Sequence, residues 1–140
     1  NMQHAFMQLV HQGTKLIPTD FIGYKESLYG LVDSHKKLMA NYYAQMDALA
    51  YGKTKEEVHL ELKTAQGLEK INQLLPFKVF EGNKPSNEIL FNKLSVSSLG
   101  RLISLYEHKI FTQGIVWNIY SYDQFGVELG KELAKKILNN

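Results

Sequence analysis

Cysteine is absent from the 140 residues, proline occurs three times and tryptophan once. Without cysteine neither a disulfide framework nor a thiolate metal site can form, which is compatible with a reducing, cytoplasmic setting. Charge of one sign is also lacking, since 16 Lys plus Arg against 14 Asp plus Glu leave a formal charge of only +2. The lysines form no basic stripe, so no nucleic acid partner is expected. No apolar run approaches the ~20 residues that a bilayer-spanning helix needs, and no basic-then-apolar leader opens the chain. A soluble protein without a membrane partner is the expectation. The first residue is Asn1 rather than Met, which suggests a piece of a longer chain.

What is present suffices for one core. With 44% hydrophobic residues, a domain of this length buries roughly two-thirds of its unfolded surface. Residues Gln3 to Gln12 read as a helix with Phe6, Leu9 and Val10 inward and Gly13 closing it. His4 falls in its first turn. There the positive end of the helix dipole disfavours an imidazolium and helps keep the ring neutral, able to exchange protons near pH 7. A histidine that merely closes the helix start fits the same spacing. Lys15 to Tyr24 reads as extended, with Pro18 at a boundary, and residues 22 to 32 as a loop.

Asp33 or Ser34 is expected to cap a helix with Leu38, Tyr42, Met46 and Leu49 at helical spacing, ended by Gly52. Thr54 and Glu57 fit a capping box for a short helix, and a further helix from Leu68 is expected to stop at Pro76. Lys78 to Glu81 and Glu88 to Asn92 are strand candidates joined by the turn-forming Gly82-Asn83-Lys84-Pro85-Ser86. From Ser95 or Ser97 a long helix begins, so apolar on most sides that burial in a larger assembly is expected. Glu107, His108 and Lys109 interrupt it. A hydrogen-bonded subunit or domain contact accounts for them better than a metal, because His108 has no second ligand at suitable spacing. The last helix, Asp123 to Leu138, is expected to bury Val127, Leu133, Ala134 and Ile137 and to end in Lys135 and Lys136, which suit the negative end of its dipole. Taken alone, these elements indicate a mixed α/β protein with two or three short strands and dominant helices.

The stretch from Gly114 to Lys131 carries the chemistry. Gln124 and Lys131 are seven residues apart, close to two helical turns, so both project from one face. An amide and an ammonium on one edge suit a small, oxygen-rich, negatively charged ligand. A plainer account also fits: Ser121 with Gln124 matches a capping box, and Lys131 a solvated lysine beside Glu128 or Glu132.

The block Tyr122-Asp123-Gln124-Phe125-Gly126-Val127-Glu128-Leu129-Gly130-Lys131 resembles the C-terminal signature of the glucose-6-phosphate isomerase family. Further blocks follow in family order: Gln3-His4-Ala5-Phe6, His11-Gln12-Gly13-Thr14-Lys15, Lys78-Val79-Phe80-Glu81-Gly82-Asn83, and Tyr106-Glu107-His108-Lys109-Ile110-Phe111. The resemblance departs from the pattern at Met2, Phe77, Asn118 and Phe125, where glycine, histidine, aspartate and tryptophan are usual.

The resemblance implies that residues 1–140 are the C-terminal portion of such an enzyme. The fold would be the C-terminal part of a SIS-type three-layer αβα sandwich, an incomplete sugar isomerase subdomain plus C-terminal wrapping helices. It implies isomerisation of glucose 6-phosphate and fructose 6-phosphate in glycolysis and gluconeogenesis, without a cofactor or metal, by a cytoplasmic homodimer with His4 contributed across the subunit interface. His4 and Lys131 would serve ring opening, and Gln124 would bind the substrate's phosphate region. The family's proton-moving glutamate, phosphate-binding loop and substrate-facing arginine lie upstream of this sequence. A non-catalytic sugar-phosphate-binding or dimerisation module of the same fold is the alternative.

Overall fold

Thr19–Tyr24 (β1) carries Phe21, Ile22 and Tyr24 in an extended run, and it pairs in parallel with Ser86–Phe91 (β2). The register sets Thr19 against Ser86 and Tyr24 against Phe91. The computed structural model describes residues 2–65 and 68–139, and for 2–4, 64–65 and 68–70 the backbone only. Its described elements are six helices and this two-stranded sheet, a helix-rich α/β arrangement. The chain divides into two units, Asn1–Leu94 and Ser95–Asn140.

In the first unit a parallel pair needs a long crossover. Val32–Tyr51 (α2), Lys55–Ala65 (α3) and Leu68–Lys78 (α4) supply it. α2 lies against the sheet through Tyr42, whose hydroxyl donates to the Phe21 carbonyl at 3.1 Å and whose ring meets Phe21 edge-on at 6.0 Å. Gly23 makes this approach possible, because a Cβ there would sit 2.9 Å from the Tyr42 ring. Burial, then the nearby Glu88 carboxylate, push the Tyr42 phenol above its ordinary value. Tyr24 stacks on Phe91 across the two strands, and Asn87 donates to Asp20 at 2.8 Å beside them. α3 and α4 close a core of Val58, Leu62, Ile71 and Leu75. Lys53 and Lys78 both pair with Glu61 on its rim.

The capping box of Thr54 and Glu57 is present, with the Thr54 N–H donating to the Glu57 carboxylate at 2.8 Å and the Glu57 N–H to the Thr54 hydroxyl at 3.2 Å. Several expectations need correction. α2 begins at Val32, and its N-cap is Leu31, which has no side-chain acceptor to offer, rather than Asp33 or Ser34. α4 runs past Pro76 to Lys78, since a proline in the last turn removes only one N–H near the end of the ladder. Residues 78–81 do not form a hairpin with β2. Phe80 instead makes an isolated antiparallel bridge to Lys53, and β2 finds β1. The first helix, Met2–Gln12 (α1), buries Val10, whereas Phe6 and Leu9 are more than half exposed. Gln12 and His11 hold it instead: Gln12 donates to the Phe77 carbonyl at 3.0 Å, and the His11 ring meets Phe80 edge-on.

In the second unit Ser95 settles the choice of cap for Val96–Trp117 (α5). Its hydroxyl accepts from the Ser98 N–H at 3.1 Å, and the Ser98 hydroxyl accepts from the Ser95 N–H at 2.8 Å. Although apolar on most sides, α5 leaves Ile103, Ile110, Phe111 and Ile115 about half exposed or more. Lys109 lies over the Tyr106 ring at 5.3 Å, a cation–π contact within the Glu107-His108-Lys109 interruption. The last helix, Phe125–Leu138 (α6), starts two residues later than expected and ends in Lys135 and Lys136. It buries none of Val127, Leu133, Ala134 or Ile137, because nothing among the described residues of this unit covers its apolar face. No described helix is long and apolar enough to cross a membrane.

Candidate functional site

The turn between α5 and α6 places the second unit's candidate residues. α5 ends at Asn118 in the left-handed conformation (φ 56°, ψ 46°), which asparagine tolerates better than most residues. The Ile119 N–H donates back to the Gly114 carbonyl at 2.8 Å and the Asn118 N–H to the Ile115 carbonyl at 3.2 Å, reversing the chain. Tyr122 then stacks on Phe111 with ring centroids 6.3 Å apart and planes 13° from parallel. Beside it an open groove of about 570 Å³ is walled by Ile115, Ile119, Tyr120 and Phe125, with Asp123 at its rim.

Gln124 is the N-cap of α6, at φ −131° and ψ 21°. Its carbonyl accepts from the Glu128 N–H at 2.9 Å, but its side chain makes no capping bond. This overturns the capping box of Ser121 with Gln124: Ser121 lies three residues outside the cap, and the amide of Gln124 is not spent on the helix. The first turn of α6 therefore offers backbone N–H groups with no side-chain cap, next to an exposed carboxamide. Lys131 is exposed on α6 and forms no ion pair with Glu128, Glu132 or any other described residue. At ~1.5 Å rise per residue its Cα lies roughly 10 Å along the helix from Gln124. Backbone N–H donors at the helix start and an ammonium two turns on are thus available to one elongated anionic ligand.

His4 is in the first turn of α1, in the other unit, and its side chain lies outside the described residues. Sequence reasoning missed the fastening of the turn ahead of Gln124. Its signals were a glycine inside a helix, Gly114, and an asparagine at the helix end, Asn118, each of which also occurs without such a role.

The family model described as phosphoglucose isomerase matches residues 1–140, the whole chain. A curated protein named glucose-6-phosphate isomerase, from Christiangramia forsetii, is 64% identical over 139 residues, covering 99% of this chain and 26% of that protein. The chain thus spans about a quarter of the length of the relative it matches.

Proposed function

Because the chain belongs to the phosphoglucose isomerase family, we propose that the whole protein interconverts glucose 6-phosphate and fructose 6-phosphate, a step shared by glycolysis and gluconeogenesis. The observation that carries this reading is the 64% identity over almost the whole chain to a protein of that name. The uncommitted side chains of Gln124 and Lys131 support it.

Ring opening needs one proton delivered to the ring oxygen and one taken from the anomeric hydroxyl, and His4 and Lys131 serve that pair of transfers. The open-chain aldose then becomes the ketose through an enediol, as a carboxylate moves a proton between neighbouring carbons. That carboxylate is not assigned to this chain, since none of Glu26, Glu81 and Glu128 sits in a block that matches the family's glutamate motif. Gln124, at the start of α6, hydrogen-bonds the phosphate region, and the Lys131 ammonium offsets negative charge that develops on the substrate oxygens.

Residues 1–140 are in this reading the C-terminal portion of the enzyme, the end of a SIS-type αβα sandwich with wrapping helices. The enzyme is a cytoplasmic homodimer, with His4 contributed across the subunit interface. The exposed apolar faces of α5 and α6 are consistent with cover by other parts of such an assembly.

Lys131→Ala in the full-length protein tests the site. A lysine that serves the transition state contributes little to folding, so turnover should fall by roughly two orders of magnitude or more with a nearly unchanged melting temperature. Unchanged turnover with a lowered melting temperature would contradict the assignment. The isolated 140-residue chain should show no turnover, and detectable isomerisation by it would refute the placement of the carboxylate elsewhere.

A further inference from the structure

Gly114 is buried in the last turns of α5, and its missing side chain is filled from outside the helix. A Cβ placed there would overlap the Ser121 hydroxyl, and it would lie 3.1 Å from the Ile119 carbonyl oxygen and 3.2 Å from the Ser121 Cβ. The hydroxyl could rotate away. The other two atoms could not, because Ile119 is fixed to the Gly114 carbonyl by its own N–H and the Ser121 Cβ moves only with the backbone.

Ser121 is three residues before Gln124, and all described residues of α6 are exposed. Within this unit α6 is therefore held chiefly through the turn, by the Gly114–Ser121 contact and the Phe111–Tyr122 stack. We propose that Gly114 and Ser121 are positioning residues: the serine seats on the bare helix backbone and thereby fixes where Gln124 and Lys131 stand toward a sugar phosphate. The proposal rests on the isomerase reading above. It adds a glycine and a serine that take no part in the chemistry themselves, yet set the geometry of two residues that meet the substrate.

The test uses the full-length protein, with fructose 6-phosphate as the probe, read as kcat and KM in a coupled assay and as affinity by calorimetry. Gly114→Ala pushes the turn outward by a few tenths of an ångström, and kcat should fall roughly five- to thirtyfold at temperatures where the variant is folded. Ser121→Gly alone should lower kcat by roughly three- to tenfold, because it empties the seat against Gly114. Combined with Gly114→Ala it removes the two Ser121 atoms nearest the new methyl, which then fills the emptied seat, and should recover part of the lost turnover and affinity. Ser121→Leu, at an exposed position that leaves the α5 ladder intact, should reproduce the loss if Gly114→Ala fails to fold.

A Gly114→Ala or a Ser121→Gly enzyme with parental kcat, or a Gly114→Ala loss that Ser121→Gly does not relieve at all, would overturn the positioning role. If Gly114→Ala does not fold, parental kcat in Ser121→Leu overturns it equally. A parent that turns over while these variants match its kcat and affinity removes this proposal alone. A parent that neither binds nor converts fructose 6-phosphate removes the isomerase reading, and this proposal with it.

Discussion

Alanine at Gly52 and alanine at Gly100 should change stability in opposite directions, though both glycines belong to helices or their ends. Gly52 closes α2 at φ 66° and ψ −148°, a region essentially restricted to glycine. Its Cβ would overlap the Phe80 carbonyl and approach Gly82 N to 2.5 Å. Both are backbone atoms and cannot rotate aside. Four hydrogen bonds depend on that approach: Lys53 to Phe80 at 2.9 Å, Phe80 to Lys53 at 3.0 Å, Asn83 to Ala50 at 2.8 Å and Lys84 to Leu49 at 3.0 Å. Backbone strain costs about 1–3 kcal/mol. Weakening two or more of these bonds adds about 1 kcal/mol each, so Gly52→Ala should lose roughly 3–5 kcal/mol.

Gly100 lies inside α5 with nothing within 4 Å of a Cβ. Relieving a helix-interior glycine should stabilise α5 by about 0.5–1 kcal/mol. Urea unfolding of the 140-residue chain by far-ultraviolet circular dichroism, with amide exchange at Lys53, Phe80, Asn83 and Lys84, reads both effects. Equal midpoints for the two variants, or protection of those four amides unchanged in Gly52→Ala, would refute the close backbone approach.

Three further outcomes follow from the first unit. Leu62→Ala removes a side chain that is 2% exposed in the α3–α4 core and should cost about 2–5 kcal/mol by the same urea titration. Thr54→Ala removes the hydroxyl that accepts from the Glu57 N–H and should cost about 1 kcal/mol. The hydrogen bonds and charges of Lys53 and Lys78 hold the Glu61 carboxyl at a pKa of about 2, below its ordinary 4.5. A depressed folded value means that the contribution is complete above about 4.5 and lost as pH falls toward about 2. Glu61→Gln should flatten acid unfolding over that window, and an unchanged pH profile would show that these exposed pairs are fully screened.

Legibility in the sequence followed how local each determinant is. Ser95, Thr54 with Glu57, and Gly52 act within a few residues, and each helix boundary they mark is where the side-chain chemistry puts it. The pairing of β2 depends on residues more than sixty positions away. Turn chemistry at 82–86 therefore marks two strand candidates that are neighbours in sequence, while the chain instead closes a parallel pair between β2 and β1. Inward and outward faces failed where no described residue covers the apolar stripe. Phe6 on α1 and Val127, Leu133 and Ile137 on α6 have helical spacing but no described neighbour to bury them. At the candidate site, spacing put Gln124 and Lys131 on one helix, and motif similarity gave them roles. The Gly114–Ser121 seat was invisible because a glycine's use appears only when something occupies its empty side.

The central claim is that this chain is part of a working isomerase with His4 at its active site. The direct measurement is a coupled assay of fructose 6-phosphate conversion to glucose 6-phosphate by the full-length protein, with and without His4→Ala. The account predicts turnover by the parent, a sharp loss in the variant, and a smaller loss on ring-opened than on cyclic substrate. A parent that binds the sugar phosphate without converting it, or a His4→Ala variant with parental turnover, would contradict it.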